Sequence, residues 1–265
     1  MPTGDEATGI KSDRRQGKVL WAALLCGFIA GFDSTSTFIL FPAIRSSIGN
    51  GDTAATTWIL TIVGIVSAAV LLHAGHLADR YGHNRIMISS AGISMVGSLL
   101  SAVAPNLFFL IVGRGIQAAA LAGLGVSSIA IIVRETKSGL LATAMGRWAF
   151  WTAIAGVSGP VLSSIFVEYT SWRLLFFSVI PISALVIYLG FPGWHSNHVA
   201  VKTKRVDYIG TIEAILGVSL IALALLEGND WGWGSLQTAG SFIGGSLLLR
   251  LVVVRSKTHI NPVLP

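Results

Sequence analysis

Charge is what this sequence has little of. Asp, Glu, Lys and Arg supply 11% of its 265 residues, against roughly a quarter in soluble domains, so a chain of this size could not clothe a water-facing surface. Cysteine occurs once, at Cys26 inside the first apolar run. An intrachain disulfide is therefore excluded, and a small packing residue is expected there. No GxxxxGK[ST] phosphate loop occurs, which removes the usual sign of ATP as energy source. No GxSxG element with partner residues supports an enzyme. The basic residues outnumber the acidic ones, 18 to 12, but they are dispersed among turns without interleaved aromatics, so no nucleic-acid partner is expected. His195 and His198 form an HxxH without further ligands; no metal and no cofactor is expected.

What is present is hydrocarbon-length apolar sequence. Hydrophobic residues make up 53% of the chain, gathered into runs of about 18 to 26, the length a helix needs to cross a bilayer. The pattern predicts an all-α polytopic membrane protein with lipid as its solvent. Spans are predicted near 19–44, 56–74, 86–104, 108–133, 140–166, 173–192, 208–226 and 236–254. The first 18 residues are polar and basic, as in a secretory signal. The apolar run that follows is too long for a signal core and carries Asp33, so it reads as an uncleaved first helix behind a cytoplasmic tail at 1–18.

Lys11, Arg14, Arg15, Lys18, Arg80, Arg85, Arg134, Lys137, Lys202, Lys204, Arg205, Arg255 and Lys257 all fall on one side of such a topology. Arg45 and Arg173 fall on the other. The positive-inside rule then puts the N-terminus in the cytoplasm of a multi-pass protein, in a plasma or inner membrane. The polar stretch 193–207 reads as a cytoplasmic linker after six spans, with two further spans over 208–257 and a tail at 258–265. Trp231 and Trp233 read as an interfacial anchor.

Several polar residues sit where an apolar helix should have none. Asp33, Ser36 and Thr37 have i, i+3, i+4 spacing and form one polar face, so Ser36 and Thr37 are expected to line a cavity. A carboxylate at that depth is costly, about 2.5–3.5 kcal/mol on the lenient insertion scale, and pairs or faces water. Two readings stay open: a proton or cation site, or an ion pair that fixes helix packing. Arg114 and Gln117, three apart on one face of span four, offer a partner at a similar depth. Arg147 and Glu213, early in their spans, either snorkel or touch substrate.

Five stretches resemble known patterns. GHLADRYGHNR, Gly75 to Arg85, resembles the signature loop of the major facilitator superfamily: Gly75, Asp79, Arg80, Gly82 and Arg85 match, while His83 and Asn84 stand at positions often basic. Its glycines are expected to let the backbone turn, and Asp79 to accept from Arg80, Arg85 or a helix N-terminus. This is expected to form a cytoplasmic gate. FDSTSTFILFPAI, Phe32 to Ile44, is similar to a segment of the fourteen-span drug:proton antiporters, with Phe38 in place of an Asn. RGIQAAALAG is similar to the superfamily's R-x-x-Q-G, with Ala118 in place of Gly. AIAGVSGPVLSS, Ala153 to Ser164, is similar to the antiporter motif G-x-x-x-G-P-x-x-G-G; Gly159 and Pro160 match, and Ala155, Gly159 and Ser163 form a small-xxx-small seam beside a proline bend. SWRLLFFSVIPIS resembles the segment closing the six-span domain, with Arg173 expected to snorkel to lipid headgroups.

These resemblances imply an N-terminal six-helix bundle of inverted three-helix repeats plus two extra helices. They imply multidrug efflux: proton-coupled export of lipophilic or cationic small molecules, with Asp33, Arg114 and Gln117 coupling substrate to protons. A facilitator transporter of another small metabolite or a siderophore stays open, as does a non-transporting membrane fragment or interaction protein. Membrane lipids, protons and a small-molecule substrate are the expected partners. A C-terminal half or a second copy is also expected, since two bundles are needed to rock around a shared cleft and the chain ends after two extra helices.

Overall fold

A computed structural model describes residues 4–194 and 208–258. Eight long α-helices occupy nearly all of this, and no β-strand occurs among the described residues. They are α1 (Gly4–Ser47), α2 (Thr53–Tyr81), α3 (His83–Ala102), α4 (Leu107–Glu135), α5 (Leu141–Tyr169), α6 (Arg173–Gly190), α7 (Tyr208–Trp231) and α8 (Leu236–Thr258). Hydrocarbon offers no water to backbone N–H and C=O groups, so each crossing segment must satisfy them internally, as a helix does.

Taken singly, α1 from Arg15, α3, α4, α5, α6 with its following turn, and α8 are long and apolar enough to cross a membrane. The arms of α2, Ala55–Leu71 and His73–Tyr81, pass as a pair bent by 45°. In α7 the apolar stretch Ile212–Leu225 is shorter. α7 is 24 residues long, but its apolar part falls short of the roughly 20 residues that cross hydrocarbon, so the span expected at 208–226 is not among those that pass. The basic stretch expected as a tail is helical from Gly4 and continuous with α1. The linker at 195–207, with His195, His198, Lys202, Lys204 and Arg205, and the tail from 259 onward lie outside the described residues.

The packing has an internal repeat. The main pairs are α3 with α4, α1 with α5, α2 with α4, α3 with α6, α1 with α4 and α1 with α6. Exchanging each helix of the first three for its counterpart in the next three maps α1–α5 onto α4–α2 and α3–α4 onto α6–α1. It maps α1–α4 and α3–α6 onto themselves. A two-fold repeat of three-helix units generates this pattern, and it puts α1 and α4 against each other in the middle. The α7–α8 hairpin packs on itself and reaches the bundle through α2.

The distribution of polarity inverts that of a soluble core. Phe150, Val157, Val161 and Tyr188 face outward, as lipid permits. Ser94, Ser98, Ser101, Gln117 and Ser127 are buried. Small residues inside let helices close up where no hydrophobic force drives them together.

The turns follow local chemistry. Asn50 and Gly51 take positive φ, 49° and 76°, and Asp52 caps α2 by accepting from Ala55 N at 3.1 Å. Asn106 caps α4 by accepting from Phe109 N at 3.2 Å. Each satisfies an N–H that the first helical turn leaves free. Trp172 Nε1 donates to Ser47 Oγ at 2.9 Å. Arg173, expected at the headgroups, is half-buried: Nη2 donates to Ala104 O at 2.9 Å, and the guanidinium lies 4.3 Å from the Trp172 ring centroid. One guanidinium thereby ties the α3–α4 turn to the start of α6.

Candidate functional site

Asp33 lies in the middle of α1 and is 4% exposed. Arg114 on α4, 2% exposed, donates through Nη1 to Asp33 Oδ1 at 2.5 Å and through Nη2 to Oδ2 at 3.1 Å. This two-pronged contact is the geometry in which guanidinium and carboxylate bind most strongly. Arg114 Nη1 also donates to Gln117 Oε1 at 2.8 Å, the contact that their three-residue spacing allows. Gln117 Nε2 in turn donates to Ser98 Oγ of α3 at 3.1 Å. From α6, the Phe176 ring centroid lies 5.8 Å from Arg114 Cζ, a cation–π distance. Residues of four helices thus join in one network around this guanidinium.

The pair borders a cavity of about 420 Å³ between α1, α2 and α4. Asp33, Ser34, Thr37, Phe38, Leu60 and Arg114 are among its walls. Phe38, where the antiporter segment has an Asn, gives this wall an apolar surface.

Ser36, expected to line the cavity with Thr37, does not. At 100° per residue, Ala30, Asp33, Ser34, Thr37 and Phe38 fall within one arc, whereas Ser36 points to the opposite side of Asp33. Ser36 is fully buried against α5, where its backbone oxygen accepts from Ser163 Oγ at 3.4 Å. Ser34 takes the expected place on the cavity wall. The hydroxyls of Ser34, Thr35, Ser36 and Thr37 each donate to the carbonyl four residues earlier, which satisfies them inside an apolar helix.

Ala155, Gly159 and Ser163 are the buried residues of α5 among those described and form its seam with α1. A Cβ on Gly159 would lie 2.5 Å from Ser36 Oγ and 3.0 Å from Phe32 O. Pro160 stands within the helix, beside this seam.

At the other end of α2, the loop residues take places that the sequence pattern did not foresee. Gly82 has φ 104° and links α2 to α3. Gly75 is inside α2 with open space around it, so the turn is made by Gly82 alone. Asp79, expected to accept from Arg80, Arg85 or a helix end, contacts His83 Nε2 at 3.5 Å. Arg80 lies over the Tyr81 ring, 5.3 Å from its centroid. Arg85 Nε donates to Trp194 O at 3.2 Å, holding the turn after α6. Of the two isolated charges, Arg147 is exposed, and Glu213 pairs with Arg255 of α8 at 4.0 Å.

Ser98 and Phe176 carry no charge and were not legible as site residues. The available signal was the series Ser90, Ser94, Ser98 and Ser101 at helical spacing, which marks a close helix contact. Gly97 and Gly113 make that contact possible: a Cβ on Gly97 would lie 2.7 Å from Gln117 N.

A sequence model of the Major Facilitator Superfamily matches residues 23–226. The chain belongs to that superfamily. Its members are membrane transporters rather than enzymes, and this chain is a multi-pass membrane protein of that type. It is similar to the cephamycin export protein CmcT of Amycolatopsis lactamdurans, 29% identical over 252 residues, 90% of this chain and 49% of the relative. The multidrug resistance protein Stp of Mycobacterium tuberculosis is 27% identical over 255 residues, 95% of this chain and 47% of the relative. The multidrug export protein EmrB of Haemophilus influenzae is 26% identical over 243 residues, 91% of this chain and 48% of the relative. The facilitator chain spans about half the length of these curated relatives.

Proposed function

We propose that this chain forms the N-terminal half of a proton-coupled exporter of lipophilic or cationic small molecules, seated in the plasma membrane with its N-terminus in the cytoplasm. One observation carries the reading: the buried Asp33–Arg114 pair forms part of the wall of a largely apolar cavity. A carboxylate inside the membrane needs a partner, and here the partner is a fixed cation. A proton or a cationic group entering the cavity competes with Arg114 for the same two oxygens. Occupancy by one disfavours the other, which is the energetic requirement for exchange. The relatives named for cephamycin export and multidrug export support the direction of transport and the breadth of substrate.

In this reading the Asp79 loop, with Gly75, Arg80, Gly82 and Arg85, is a cytoplasmic gate that engages a second six-helix half. That half is either further polypeptide or a second copy of the chain. The Ala155–Gly159–Ser163 seam and Pro160 let α5 bend along α1 as the cavity opens and closes.

The test is drug uptake into inside-out vesicles carrying the protein, expressed from a gene segment that includes the coding sequence downstream of Pro265. Uptake is expected to follow an imposed pH gradient and to lose that dependence in Asp33→Asn. Unchanged proton dependence in Asp33→Asn would remove the role assigned to the pair.

A further inference from the structure

We infer that Ser98 is a positioning residue for the ion pair: its hydroxyl orients Gln117 so that an acceptor stays beside Arg114 when the Asp33 carboxylate is taken by a proton or a cation. The inference rests on the coupling role proposed above for Asp33.

Arg114 Nη1 has two acceptors, Asp33 Oδ1 at 2.5 Å and Gln117 Oε1 at 2.8 Å. Its guanidinium is almost wholly buried, and a desolvated cation left without acceptors is strongly disfavoured. Separation from Asp33 is therefore governed by what else can hold Arg114. Gln117 Oε1 is in place, but an amide has two ends of nearly equal shape, one accepting and one donating. With the ends exchanged, the amide N–H groups would face the guanidinium donors.

Arg114, which can only donate, sets which end faces it, and the other end is held by Ser98. Its oxygen lies 3.1 Å from Gln117 Nε2, on the side of the amide away from Arg114. Both residues are fully buried, so water does not substitute for the contact. Gly97 and Gly113 bring α3 close enough to α4 for the serine to reach.

The surroundings add no competing charge. Asp33 and Arg114 are the charged side chains on the cavity wall among the described residues, while α2 contributes Leu60, Val63 and Ser67. Elsewhere around the pair, α6 presents Phe176, and α5 meets α1 through Gly159 and Ser163.

Without the Ser98 hydroxyl the far end of Gln117 loses its anchor, Oε1 is held beside Arg114 less of the time, and Arg114 depends more on Asp33. The pH midpoint of proton-driven uptake should fall by roughly half to one unit in Ser98→Ala, the equivalent of one ordinary hydrogen bond. Gln117→Ala should shift it in the same direction. Ser98→Thr, which keeps the hydroxyl, should restore the wild-type midpoint. Each variant is first matched for its amount of monodisperse protein in detergent.

A Ser98→Ala midpoint equal to wild type, in preparations where Asp33→Asn loses proton dependence, overturns the positioning role and leaves the coupling reading standing. A uniform loss of rate without a midpoint shift overturns it equally, because that is the mark of a purely structural contact. Proton dependence surviving in Asp33→Asn overturns the coupling reading and the inference with it.

Discussion

Arg114 and Asp33, 81 positions apart, are joined through both terminal guanidinium nitrogens and both carboxylate oxygens. This contact links α4 to α1, which are counterparts in the internal repeat. Its strength depends on geometry as much as on charge. Four well-placed atoms hold two ions in a setting where either ion alone would be expelled or neutralised.

Removing one partner should therefore cost more than removing both. Arg114→Leu strands the carboxylate and should destabilise the protein by about 3–5 kcal/mol, whereas Asp33→Leu with Arg114→Leu should recover most of that loss. Thermal unfolding in detergent micelles measures the difference. A double variant that melts at or below the single one would mean that the pair contributes through packing rather than charge.

The sequence disclosed this site through its anomalies. An Asp and an Arg in the middle of apolar runs stand out because hydrocarbon penalises them, and the R-x-x-Q spacing put Gln117 on the Arg114 face. The helices were legible for the same reason, since apolar length maps directly onto crossing. Uncharged partners gave no comparable signal: Ser98 looks like any small residue of a tight seam, and Phe176 like any lipid-facing aromatic. Ser36 was misplaced because i+3 and i+4 neighbours of one residue lie on opposite sides of it, about 60° and 40° away. Only the packing of α2, α4 and α5 around α1 decides which side is the cavity.

The two loop glycines should separate cleanly. Gly82 has φ 104°, a region where a Cβ costs about 1–3 kcal/mol, so Gly82→Ala should lower the melting temperature. Gly75 is inside α2 with nothing near its absent Cβ, and Gly75→Ala should stabilise by about 0.5–1 kcal/mol through helix propensity. Melting curves of the two variants, run side by side, check the signs. A stabilised Gly82→Ala would contradict the turn geometry.

Membrane orientation is open to direct chemical labelling. The single cysteine, Cys26, is buried and can be replaced by alanine to give a silent background. A cysteine at Asp79, which is exposed, should react with an impermeant maleimide only in inside-out vesicles. A cysteine at Trp231 should react only in right-side-out cells. Reaction of both from one side would break the alternation of basic residues on which the proposed orientation stands.

The α1–α5 seam gives the sharpest steric test, because two glycines one turn apart face different surroundings. At Gly156 the nearest atom to an added Cβ is Thr35 Cγ2 at 3.9 Å, an ordinary contact, so Gly156→Ala should gain about 0.5–1 kcal/mol through helix propensity, as at Gly75. At Gly159 the same methyl would meet Ser36 Oγ at 2.5 Å, Thr35 Oγ1 at 2.8 Å and the backbone oxygen of Phe32 at 3.0 Å. The hydroxyls could rotate only by giving up their bonds to the preceding turn, and the carbonyl belongs to the helix itself. Gly159→Ala must therefore push α5 away from α1, with a loss of about 1–3 kcal/mol, the usual cost of overpacking. The displacement would be centred one residue from Asp33, so it should also weaken the Asp33–Arg114 contact. Unfolding and vesicle transport measured together on both variants would show whether helix spacing and the ion pair are coupled: a Gly159→Ala protein with lowered stability but unaltered proton dependence would place the seam and the pair in separate parts of the mechanism.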